Sequence, residues 1–221
     1  DDHRPEVHDS DGLLIWNGKG EVLWRPLDNS KYLRVSSFLD ENPKGFGLMQ
    51  RDRNPEHYLD FEADYEQRPS AWVEPEGNWG KGMVQLVEIP SVQEIHDNIV
   101  AFWIPEQSIE PGVPLQYRYK LYWSNEVPAN TNLAKITSTY TGVGGVSGML
   151  ETNKRKFVVD FDLPGKRKVI REDIKEGKII PEVSTSEGKI IGTYLVYNPV
   201  TGGEPVYADF EPNNKTAELR I

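Results

Sequence analysis

The sequence contains no cysteine. That excludes disulfide frameworks, thiolate metal sites and cysteine nucleophiles together. It leaves the compartment open, because disulfide-free chains occur in oxidising and reducing environments alike. Long hydrophobic runs are also missing. Mean hydropathy is −0.60, and no apolar stretch approaches the ~20 residues a membrane helix requires. No secretory leader opens the chain, which begins Asp1-Asp2-His3-Arg4-Pro5, as the interior of a longer protein would. Positive charge is scarce. Lys plus Arg number 25 against 35 Asp plus Glu, a net charge of −10. A general nucleic-acid binder needs the opposite surplus to neutralise phosphates, so nucleic acid is not an expected partner.

Several familiar chemistries are absent. The histidines His3, His8, His57 and His96 have no metal-ligand spacing. Asp9-Ser10-Asp11-Gly12 begins like a calcium loop but lacks the later glutamate, so it reads as a turn and no metal is expected. Gly142 to Gly148 is glycine-rich without the Lys-Ser/Thr of a phosphate loop. No Gly-x-Ser-x-Gly elbow occurs. Lys166-Arg167-Lys168 reads as a solvated turn.

What is present is period-two patterning in short runs broken by Gly, Pro and Asn, the pattern of an all-β protein. Leu13–Trp16 and Glu21–Trp24 flank Asn17-Gly18 and predict a hairpin. Further strands are expected at Met83–Ile89, Val100–Ile104, Phe157–Phe161, Gly192–Tyr197 and Pro205–Phe210. Leu115–Trp123 alternates over its length, with Leu115, Tyr117, Tyr119, Leu121 and Trp123 expected on a buried face. The spacing of runs beyond residue 97 predicts an immunoglobulin-like antiparallel sandwich. One helix is expected, Asn54–Gln67, capped by Asn54 with Pro55 at its first position and ended by Arg68-Pro69.

The segment Gln50–Pro75 concentrates Arg51, Asp52, Arg53, His57, Tyr58, Asp60, Glu62 and Asp64. Carboxylates among aromatics and arginines suit glycosidic-bond cleavage, in which one carboxyl donates a proton and another activates water or attacks. The same residues also fit a short surface helix with ordinary charge pairs.

Six phrases resemble one family: Arg4–Leu13, Glu21–Leu27, Gly45–Arg53, His57–Asp60, Arg68–Pro75 and Gly77–Gly82. They are similar to the osmoregulated periplasmic glucan biosynthesis proteins G and D, with protein G favoured. The resemblance covers essentially the whole chain and implies that it matches the family's C-terminal part. Residues 1–90 would end a large mutarotase-like β-sandwich, 91–98 would link, and 99–221 would form a smaller immunoglobulin-like β-sandwich. It also implies a periplasmic location and a β-1,2-glucan substrate. The implied activity is inverting hydrolysis by an acid and a separate base, without a cofactor.

Asp60 aligns with the family's general acid, with Glu62 and Asp64 as alternatives. If the segment is helical, Glu62 faces away from Asp60. The base would lie upstream, outside this sequence. Trp24, Arg25, Arg51, Arg53, Tyr58, Trp72 and Trp79 are the candidate sugar contacts. A second implied role is a non-catalytic glucan-binding protein that assists a membrane glucosyltransferase. The immunoglobulin-like part could serve as a docking module for that transferase or for a homodimer.

Overall fold

A computed structural model describes residues 3–126, 134–145, 153–162, 172–198 and 203–221. The fold is all-β and antiparallel, in two compact units, Asp1–Asn130 and Thr131–Ile221. The glycine-rich stretch beyond Gly145 and the 166–168 cluster lie outside the described residues. No described helix is long and apolar enough to cross a membrane.

In the first unit, β1 (Gly12–Trp16) and β2 (Val22–Pro26) form the expected hairpin around Asn17-Gly18. Asn17 closes its loop, accepting from the Glu21 N–H and donating to the Glu21 carboxylate. β3 (Arg34–Glu41), β4 (Gly45–Met49), β5 (Ser70–Glu76), β6 (Lys81–Glu88), β7 (Ile99–Pro105) and β8 (Arg118–Ser124) complete two sheets. Their orders are β2-β1-β4-β5-β8 and β3-β6-β7. Alternation sends Leu13, Ile15 and Phe46 inward from the larger sheet and Val84 and Leu86 inward from the smaller, and these form one core. The linker expected at 91–98 falls on the loop between β6 and β7. Beyond it, β7 and β8 pair with β6 and β5 inside the first unit.

Two expectations are corrected. Leu115–Trp123 yields a strand only from Arg118, and its apolar residues are exposed, Trp123 at 66%. β8 is an edge strand whose inner face extends beyond the smaller sheet. The helix expected over 54–67 is a single turn, α1 (Pro55–Tyr58), followed by a separate 3-10 turn at Tyr65–Gln67. Asn54 caps α1 as expected, accepting from the Glu56 N–H. Leu59 then turns left-handed at φ 52°. The Asp60 carboxylate accepts the N–H groups of Glu62 and Ala63, a local alternative to helical hydrogen bonding.

In the second unit, β9 (Lys135–Val143), β10 (Arg155–Asp162), β12 (Lys189–Leu195) and β13 (Val206–Glu211) form a sheet ordered β12-β13-β10-β9. β11 (Ser184–Thr185) and β14 (Leu219–Arg220) pair beside it. Among its described residues, Val159, Val206, Ala208 and Phe210 are the buried hydrophobic ones.

Candidate functional site

The outer face of the larger sheet in the first unit carries an aromatic row. Register places Trp24, Leu14, Gly47, Trp72 and Tyr122 side by side across its five strands. Two glycines make room for the indoles. A Cβ on Gly12 would stand 2.3 Å from the Trp24 ring, and one on Gly45 would stand 2.1 Å from Trp72. Trp72 is fully buried. Trp24 is half-buried and carries the Arg51 guanidinium 4.2 Å from its ring centroid.

At one end of this face, two loop segments meet through Asp11. Its carboxylate accepts the backbone N–H groups of Arg51 and Asp52, the latter at 2.7 Å, and pairs with His8 Nε2 at 2.7 Å. Asp52 in turn caps the next residues, accepting the Asn54 N–H at 3.0 Å and holding His57 Nδ1 at 2.5 Å. The result is two histidine–carboxylate pairs open to solvent on adjoining turns. The bond to Asp11 raises the His8 pKa above its ordinary 6.5, with burial opposing. The bond to Asp52 raises that of His57. Burial pushes the Asp11 carboxyl up, but the hydrogen bonds from His8, Asp52 and Arg51 outweigh it and the net shift is down. Burial lowers the Arg51 pKa.

Tyr58 and Arg53 brace these turns from beneath. Tyr58 is fully buried, accepts from Gln50 Nε2 at 2.7 Å and packs 5.5 Å from the His8 ring. Arg53 donates to the carbonyls of Gln50, Glu66 and Arg68 and so staples the loop.

Asp60 lies past α1, its side chain 9% exposed and paired with Arg4 Nη1 at 2.7 Å. Arg4 also bonds Glu94. The Ala63 N–H, the Arg4 guanidinium and the Glu62 N–H hold the Asp60 carboxyl down at about 2. Since 60–62 is not helical, the face argument against Glu62 does not apply.

The other candidates sit on the core side of the sheet. Arg25 pairs with the buried Glu88 at 2.8 Å, and Glu88 also accepts the Asp28 N–H. Trp79 packs against Phe46, Trp103, Tyr117 and Tyr119 and donates to the Arg118 carbonyl. It lines an open depression of about 310 Å³ with Lys81, Glu106 and Tyr117. The structure therefore brings together Trp24, Arg51, Arg53, Tyr58 and Trp72, and places Arg25 and Trp79 elsewhere. Sequence reasoning named Asp52 within the carboxylate-rich segment but did not join it to His8 or Asp11. The Asp-x-Asp-Gly phrase was the available signal, and only the fold shows that it grips residues 51–52.

A family model described as "Periplasmic glucan biosynthesis protein, MdoG" matches residues 1–221. A probable glucans biosynthesis protein D of Shewanella oneidensis is 50% identical over 190 residues, covering 86% of this chain and 34% of that protein. Glucans biosynthesis protein G 1 of the same organism is 45% identical over the full chain, 39% of its own length. Glucans biosynthesis protein G of Vibrio cholerae is 46% identical over the full chain, again 39% of its length. The chain thus spans between a third and two fifths of these curated relatives. On the full-length match and these identities, it belongs to the periplasmic glucan biosynthesis protein family.

Proposed function

We propose that the chain is part of a periplasmic β-1,2-glucan hydrolase that acts with inversion, Asp60 serving as general acid and the base supplied by a segment outside this sequence. The observation that carries the reading is the outer face of the larger sheet. There the half-buried Trp24, under Arg51, adjoins a turn cluster rich in carboxylates and histidines, a surface suited to neutral sugar rings and their hydroxyls. An inverting pair separates its carboxyl groups by about 6.5–9.5 Å to admit water. Asp60 must carry a proton to act, so glucan binding has to loosen the Arg4 pair and the Ala63 and Glu62 N–H bonds together.

The low pKa of Asp60 also favours a second reading, in which the protein binds and guides glucan beside a membrane glucosyltransferase without cleaving it. The full-length protein with linear β-1,2-glucan separates the two. Under the first reading, reducing ends appear, and Asp60→Asn lowers their release by about 10²-fold or more. Asn retains the oxygen that accepts from Glu62 and Ala63, so the turn survives the change. Glucan binding with no reducing ends released would establish the second reading. Undiminished turnover by Asp60→Asn would move the acid to another residue. Docking to the transferase or to a second copy belongs to the same proposal and is tested by co-purification with full-length protein.

A further inference from the structure

The second unit carries an aromatic row of its own, on the face opposite its buried residues. Register aligns Tyr140, Val158, Tyr207 and Tyr194 across β9, β10, β13 and β12. Three strand spacings make this row about 14 Å long. Tyr194 and Tyr207 stack face to face, centroids 4.6 Å apart and planes within 6°. On its other side Tyr207 is followed in the row by Val158 and then Tyr140. Tyr140 and Tyr194 are exposed, at 59% and 44%.

The neighbouring row on the same face is Gly142, Lys156, Asp209 and Gly192. A Cβ on either glycine would meet nothing within 4 Å, and Gly192 also follows the register shift at Ile190. Glycine in a strand marks a bulge or a place where a ligand approaches the backbone closely. Between the glycines, Lys156 Nζ and Asp209 Oδ1 stand 3.5 Å apart and set a charged pair beside the rings.

We propose that this face is a second glucan-binding site, distinct from the outer face of the first unit. Two strand spacings set the Tyr207 and Tyr140 backbones about 9–10 Å apart, with Val158 between them. That leaves room for a pyranose between the two side chains. The two glycines leave the approach open, and the Lys156 ammonium meets the hydroxyls. The site holds a glucan chain without cleaving it. The glucan class rests on the function proposed above.

The test titrates linear β-1,2-glucan oligosaccharides into the full-length protein carrying Asp60→Asn and follows amide NMR shifts of the residues in this chain. The expected result is saturable shifts at Gly142, Gly192 and their strand neighbours. Tyr140→Ala/Tyr194→Ala should weaken these shifts at least tenfold, and Trp24→Ala should leave them unchanged. Gly142→Val and Gly192→Val block the same ground with residues that favour strands. They should abolish the shifts without lowering Tm, which keeps the test valid if the tyrosine variants fail to fold. Shifts confined to residues 8–58 and lost in Trp24→Ala would overturn the second site and leave the glucan function standing. No shifts anywhere, together with no cleavage or binding by the full-length protein, would overturn both.

Discussion

The Ala63 N–H, the Arg4 guanidinium and the Glu62 N–H together hold Asp60 ionised. Three donors converge on that carboxyl, and only one of them, Arg4, comes from a distant part of the chain. Arg4→Gln should raise the Asp60 pKa from about 2 without restoring its ordinary 3.8, because the Ala63 and Glu62 N–H groups remain. A carboxyl whose folded pKa is depressed stabilises the native state fully above its unfolded value. For Asp60 that contribution is lost as the pH falls from 3.8 through about 2. Carboxyl-carbon NMR titration of wild type and Arg4→Gln measures the shift, and an unmoved midpoint would remove Arg4 from the account. Under the proposed hydrolase reading, the same variant in the full-length protein should extend cleavage toward higher pH, since an acid with a higher pKa stays protonated longer.

At the scale of elements, β4 and β5 are fitted to each other at Gly45. Any side chain there drives a Cβ into the Trp72 indole, which is fully buried and has nowhere to move. Gly45→Ala should cost about 1–3 kcal/mol through overpacking. Thermal melting reads the loss, and the near-ultraviolet circular dichroism of Trp72 shows the displaced ring. The two turns that meet at Asp11 respond to pH instead. His8 and His57 both have pKa values raised above 6.5. Their bonds therefore contribute fully below pH 6.5 and weaken as the pH rises through the raised folded values. Amide protection factors in 51–58, taken relative to the intrinsic exchange rate at each pH, should fall over that rise, and Asp52→Asn should flatten the dependence. The strands and the Asn17-Gly18 hairpin were legible because period two and turn chemistry are local signals. Residues 54–67 were not, because the Asx turn at Asp60 competes with the helix that Asn54 and Pro55 begin. The Asp11 grip on residues 51–52 spans forty positions, and no local pattern announces it.

At the scale of the molecule, the buried face predicted for Leu115–Trp123 shows why burial is harder to read than strand. Alternation says which residues share a face; only the partner layer decides whether that face is covered. The outer face of the β3-β6-β7 sheet has the same character. Register sets Val35, Val87 and Val100 in one row and Leu39, Met83 and Ile104 in another, with Phe102 between them. Leu39 is 82% exposed. Contiguous apolar surface of this kind marks an interface or an aggregation-prone face, and β3 and β7 are also open sheet edges. The chain spans 39% of its protein G relatives, whose additional length is available to cover such a face. The isolated 221-residue chain should therefore bind the dye ANS strongly and associate as its concentration rises. Leu39→Lys/Val100→Thr should reduce dye binding severalfold and shift light scattering toward monomer, with Tm nearly unchanged because neither side chain belongs to the core. A full-length relative should bind little dye and gain little from the same substitutions. If it bound as much dye as the 221-residue chain, the face would be open in the relative and available to a partner, and intramolecular cover would be ruled out.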